Sequence, residues 1–159
     1  MTDSGVPFTL KVADESSIEQ ARVVVAVSRV TGHARLDRDL LVVEWGGTRE
    51  IEEIGQGRLR RVAQPIPVGR VAVPVARLVR VDIRSRWWHP RLELVTTDPG
   101  AFAALPGSPG GRLELHLSRH DVAAALELVT TLRLEMAEHA LRAAEAADQL
   151  PPHPPSRWS

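Results

Sequence analysis

Cysteine is missing from all 159 residues, so neither a disulfide framework nor a thiolate metal site can be built from this chain. Tyrosine is missing as well, and aromatic residues make up only 4% of the sequence: four tryptophans and two phenylalanines. Long apolar runs are also absent. The richest, such as Val23–Val27, are far shorter than the roughly 20 residues a membrane-spanning helix needs. Met1–Pro7 has no basic start leading into an apolar stretch, so no secretory leader is expected. These absences point to a cytoplasmic chain without a transmembrane segment. No motif requires a cofactor or a metal, and none is expected.

What is present is an ordinary globular composition, 43% hydrophobic and 25% charged, at a length suited to one domain with a real core. The net charge is zero but unevenly spread. Residues 1–57 carry six basic and ten acidic groups, and residues 92–159 carry five and nine. Residues 58–91 carry nine arginines against a single acid, Asp82. Such a basic segment could bind phosphate-rich partners. Overall neutrality argues instead that its arginines pair with the acidic flanks of the same fold.

Apolar residues alternate with polar ones in Phe8–Val12, as in a half-buried strand, and Asp14–Ser17 breaks the pattern. Arg22–Val30 is valine-rich and reads as a strand. The alternative is a helix capped by Ser17 and Gln20. Thr31–His33 reads as a turn. Leu40–Trp45 reads as a strand ended by a Gly46-Gly47 hairpin, with Thr48–Ile54 as its partner. Gly55–Gly57 is a second turn, and Leu59–Ala63 a short strand. Pro65 and Pro67 forbid a central strand, because proline removes a ladder donor.

In Arg77–Arg84, the residues Val79, Val81 and Ile83 are expected inside and Arg80, Asp82 and Arg84 outside. Trp87–Pro90 marks a turn, and Arg91–Thr96 returns with Leu92 and Leu94 inward. A Gly/Pro loop follows, plugged by Phe102 and Leu105. Leu113, Leu115 and Leu117 make the last strand. Ser118 and Asp121 then resemble a capping box. From Arg119 to about Asp148 no glycine or proline interrupts an Ala-, Leu- and Glu-rich helix. Val122, Leu126, Val129, Leu132, Met136 and Ala140 form its seating stripe. Leu128, Leu134 and Leu141 lie off that face. Strands in succession followed by one helix make an α+β domain, an antiparallel barrel or strongly bent sheet closed by the helix.

The stretch from about Thr31 to Leu132 resembles the pleckstrin-homology-like superfold, including bacterial PH and GRAM-type domains. The features carrying the resemblance are the strand pair at Leu40–Ile54, Val73-Pro74-Val75 leading into Leu78–Ile83, the tryptophan-bearing hairpin at Trp87–Leu94, the strand Arg112–Leu117 and the closing helix. The division implied is an N-terminal extension at 1–30 with one or two strands, the PH-like domain at 31–148, and a proline-rich, disordered tail at 149–159. Such domains generally bind lipids, peptides or proteins, and some bacterial ones assemble into oligomers. Lipid-binding members use a basic first hairpin. Here that region carries Glu44, Glu50, Glu52 and Glu53, which argues against phosphoinositide recognition.

Candidate chemistry is thin. His116 and His120 have a metal-like spacing but straddle a strand end and a helix start, with no third ligand nearby. Ser118, His120 and Asp121 have the residue types of a hydrolase triad, yet adjacency is not triad geometry. Gly107–Gly111 precedes a strand, whereas phosphate loops precede a helix. Trp87 and Trp88 are adjacent, so one ring is expected in the core and the other outside, beside Arg84, Arg86 and Arg91. The reading is therefore a noncatalytic PH-like binding or assembly module that engages protein, including a second copy of itself. The expected interface is either Leu128, Leu134 and Leu141 or the face of Arg80, Arg84, Arg86, Trp87, Trp88 and Arg91. The alternatives are a small ligand-binding or enzymatic α+β barrel, and a binder of anionic lipid or nucleic acid through the arginine-rich middle.

Overall fold

A computed structural model describes residues 5–19, 22–55, 57–85, 87–108 and 110–149. The side chains of residues 14–19 lie outside that description. So do Gln20, Arg86 and the proline-rich tail from residue 150 onward.

Seven antiparallel strands form one sheet: β1 (Val6–Glu19), β2 (Arg22–Asp37), β3 (Leu40–Gly55), β4 (Arg58–Pro74), β5 (Leu78–Arg84), β6 (Arg91–Thr96) and β7 (Arg112–His116). Their spatial order is β4-β3-β2-β1-β7-β6-β5, so β4 and β5 are its edges and the sheet is not closed. Yet only a 3-10 turn, Val75–Arg77, separates those two edge strands along the chain. Laid flat, seven strands would set the edges about 29 Å apart. The link from Pro74 to Leu78 spans at most about 14 Å. The sheet must therefore bend sharply and bring its edges toward each other. One bridge, Thr9 to His116, joins β1 to β7, so the four long strands and the three short ones are nearly separate layers.

Their inner faces share one core. Val6, Phe8, Val30, Leu41, Val43, Trp45 and Val73 come from the long layer, and Val81, Ile83, Leu92, Leu94, Leu113 and Leu115 from the short one. Phe102 and Leu105 are buried from the loop before β7. Burying a side chain of this size contributes about 1.5–3 kcal/mol. β1 and the first half of β2 occupy the segment read as an extension. They are built into the sheet, with Val6, Phe8 and Val30 in its core.

Several sequence expectations are corrected by the register. Thr31–His33 is not a turn, because β2 runs straight through it, pairing Gly32 with Trp45. A Cβ at Gly32 would strike the Glu44 carbonyl and the Phe8 ring, so glycine stands there for close approach rather than for turning. Gly46-Gly47 is likewise no hairpin. β3 passes through both to Gly55, and Thr48–Ile54 is its own continuation. The irregularity at that point is a bulge against β4 between Trp45 and Gly47. The β3–β4 hairpin lies at Gly57, whose φ is +72°. Pro65 and Pro67 sit within β4, which is an edge strand, where a missing donor is tolerated.

Val79 is 58% exposed, against expectation. A register shift between Leu78 and Arg80 transfers the inward position to Leu78 and leaves Val79 outside. After β7, Ser118 Oγ accepts a hydrogen bond from the His120 backbone N–H, which caps a 3-10 turn at Arg119–Asp121. The helix proper, α1, spans Val122–Asp148. Ala125, Val129 and Leu132 are its buried residues, while Leu126, Leu128 and Met136 pack partly against the core. The seating face is thus rotated toward Ala125 and Leu128. Leu126, expected in the core, is half-buried. Leu128, expected in a free stripe, helps to seat the helix.

Candidate functional site

Because Leu92 and Leu94 point into the core, Glu93 between them must point outward. Its cross-strand neighbour Asp82 does too, as do Arg80, Arg84, Arg91 and, from β7, Arg112 and Glu114. Short strands bring these side chains together. The guanidinium groups of Arg80 and Arg84 contact the two carboxylate oxygens of Glu93, and Arg112 Nε lies 3.8 Å from Oε1. Arg112 also pairs with Glu114, which Arg91 approaches to 3.4 Å. From α1, Arg133 reaches across the β5 edge. It donates to the Val81 carbonyl at 3.0 Å and to Asp82 at 3.2 Å.

Glu93 ends up fully buried although it sits on the outer face, because arginine stems roof it over. Lost solvation alone would raise its pKa. Hydrogen bonds from Arg80 and Arg84, with the charge of Arg112, outweigh that and hold it below the ordinary carboxylate range. His116, on the same face at the end of β7, is pushed below the usual imidazole range. Partial burial is the main cause, followed by the positive charge of Arg91. Among the described residues, five guanidinium groups (Arg80, Arg84, Arg91, Arg112, Arg133) meet three carboxylates (Asp82, Glu93, Glu114), and the face keeps a positive surplus.

Trp87 and Trp88 border this face, and both are exposed, at 83% and 77%. The expectation that one would be buried fails because neither lies in a strand. β5 stops at Arg84, and Ser85 takes a left-handed conformation at φ +53°, which ends the inside/outside alternation. Arg86, expected at this interface, lies outside the described residues. Two adjacent tryptophans in water are an unusual use of the most interface-enriched side chain.

The other expected interface is divided. Leu134 and Leu141 are 60% and 62% exposed, whereas Leu128 belongs to the seat of the helix. Every residue from Ala140 to Gln149 is exposed, so the last third of α1 projects beyond the sheet.

Elsewhere the basic middle is largely neutralised, as overall neutrality implied. Of its nine arginines, Arg61 pairs with Glu52, Arg70 with Glu44, Arg77 with Asp98, Arg80 and Arg84 with Glu93, and Arg91 with Glu114. Each of those acids lies outside the segment 58–91. Among the described residues no three His, Asp or Glu side chains gather as a metal site would require. An open groove of about 490 Å³ lies along β1–β4 where Gly32 and Gly46 omit side chains, lined mainly by apolar groups with Trp45, His33 and Val68. Its one carboxylate, Glu44, is already paired with Arg35 and Arg70.

Glu93, Arg112, Glu114 and Arg133 were missed by reading the sequence. Alternation in Leu92-Glu93-Leu94 places the carboxylate outward. Its arginine partners become visible only once β5, β6 and β7 are known to be neighbours. The fold and this face together define a sheet-plus-helix protein with a basic, tryptophan-bordered surface. No protein-family model, curated protein or solved structure matches the chain. No helix among the described residues is long and apolar enough to cross a membrane.

Proposed function

We propose that this chain is a noncatalytic, PH-like binding or assembly module that engages protein through the outer face of β5–β7. The observation carrying the reading is the pair Trp87 and Trp88, exposed together beside a face with surplus positive charge. The PH-like assignment is supported by two antiparallel layers of four and three strands, followed by one helix seated on their common core. A protein partner is favoured over phosphate because most arginines on this face are occupied by internal carboxylates. They present a mixed, hydrogen-bonding surface rather than a row of free cations. The surplus charge selects an acidic polypeptide, and the indole rings select one that also carries apolar side chains.

The test is a calorimetric titration of the full chain with an acidic, leucine-containing polypeptide. Parallel titrations use anionic phosphatidylglycerol vesicles and duplex DNA. The expected result is saturable polypeptide binding that weakens with salt and is lost when Trp87→Ala and Trp88→Ala are combined. Uptake by vesicles or DNA with none of the polypeptide would overturn the protein reading and assign the face to an anionic surface.

A further inference from the structure

The outward face of α1, running into its projecting end, has a chemistry of its own. Leu134 and Leu141 lie two and nine residues beyond the buried Leu132, about 200° and 180° round the helix from it. They face directly away from the core. Glu138, Glu145 and Asp148 fall within about 60° of the same line. The exposed stripe therefore reads leucine, glutamate, leucine, glutamate, aspartate. Among these carboxylates, Glu138 has a pairing within the helix, to Arg142 at 3.0 Å. Residues 134–149 hold four acids and one arginine.

Such a stripe does not suit pairing with its own copy side by side. Two acidic seams would set like charges opposite one another, which opposes helix–helix association. It suits a surface that is basic and aromatic, and the chain has one in the β5–β7 face. Within one molecule the far end of the stripe cannot reach the tryptophans, although Arg133, next to Leu134, belongs to the face. The Leu117 N–H donates to the Pro90 carbonyl, so α1 begins beside the Trp87–Pro90 turn. From there to Leu141 the helix runs about 30 Å away.

We infer that the acidic leucine stripe of α1 docks on the arginine–tryptophan face of a second copy of this chain, tail to face. This rests on the proposed binding role of that face and names its partner. Leu134 and Leu141 cover the indoles of Trp87 and Trp88, while Glu138, Glu145 and Asp148 meet the surplus positive charge. The contact joins two different surfaces. It gives either a reciprocal pair, in which each copy supplies one tail and one face, or a longer chain or ring.

Sedimentation velocity over a concentration series tests this with three full-length proteins: the wild type, a tail variant (Leu134→Lys with Leu141→Lys) and a face variant (Trp87→Ala with Trp88→Ala). All four positions are exposed, and circular dichroism checks that the helix is retained. The wild type should self-associate, less so at high salt. Each variant alone should lose at least about tenfold in association constant. An equimolar mixture of the two variants should recover a species of two copies and go no further, because it contains one intact tail and one intact face. Association of the face variant undiminished from wild type would overturn the proposal in favour of helix–helix pairing. A wild type that stays monomeric would overturn it as well. If that monomer still binds the acidic polypeptide in the titration above, the docking face stands and its partner is another protein. If it binds neither, both readings fall.

Discussion

The two layers of the sheet use the same charged residues to different ends. On the long layer, β1–β4, arginine and glutamate pair mostly one to one across neighbouring strands, Arg22 with Glu53, Arg29 with Glu50 and Arg61 with Glu52, and only Glu44 among these described pairs is shared, between Arg35 and Arg70. These pairs are substantially exposed, and exposed pairs contribute little to stability. Their effect is to cancel charge along a wide surface. On the short layer, three arginines converge on Glu93, and the carboxylate is sealed from water. Convergence leaves a surplus of positive charge, and the tryptophans stand at its border. Strand length accounts for the difference. Strands of 14 to 17 residues spread their outer side chains in separate rows. Strands of 5 to 7 residues hold theirs within reach of one centre.

Core truncation should have the largest effect and should not discriminate between the helix and the sheet, since both seal one core. Leu132→Ala on α1 and Leu92→Ala on β6 should each cost about 2–5 kcal/mol in urea unfolding. A loss confined to the Leu92 variant would mean that α1 is not an integral part of the fold.

Next comes Glu93→Gln. The charge-assisted hydrogen bond from Arg80 and the ion pair with Arg84 are lost, while the half-exposed guanidinium groups can turn to water. The expected loss is about 1–3 kcal/mol. Its pH dependence has a definite sign. Glu93 has a lowered pKa in the folded state, so its contribution is complete above the ordinary carboxylate range. It fades as pH falls through the lowered value. Urea midpoints measured from neutral to acid pH should fall less steeply for Glu93→Gln than for wild type. Parallel curves would show that Glu93 is not held ionised by its neighbours. The smallest effect belongs to the long layer. Glu52→Gln breaks one exposed pair and should change stability by less than about 0.5 kcal/mol. A loss comparable to that of Glu93→Gln would erase the distinction between the layers.

Much of the short layer was legible in the sequence, because its strands alternate, apart from the shift between Leu78 and Arg80, and end in unmistakable turns. Val81, Ile83, Leu92, Leu94, Leu113 and Leu115 are buried as their pattern demands. The long layer was harder to read. Its glycines look like turn signals but serve close packing, with Gly32 under Phe8 and Gly47 against the Arg29 carbonyl. Two strands were therefore cut short at points they pass through. In the candidate site, Arg80, Arg84, Trp87, Trp88 and Arg91 could be singled out because they are near neighbours in the chain. Glu93, Arg112 and Arg133 could not. Their meeting depends on the order of strands and on where α1 crosses β5, neither of which periodicity contains.

The short layer's outer face is the proposed docking surface. The most direct measurement follows the tryptophan indole N–H resonances of the full chain as the acidic, leucine-containing polypeptide is added. Trp45 lies in the core of the long layer and serves as the internal reference. The Trp87 and Trp88 signals should shift together and saturate while Trp45 stays fixed. Saturable binding that moves Trp45 and leaves Trp87 and Trp88 unchanged would contradict that proposal.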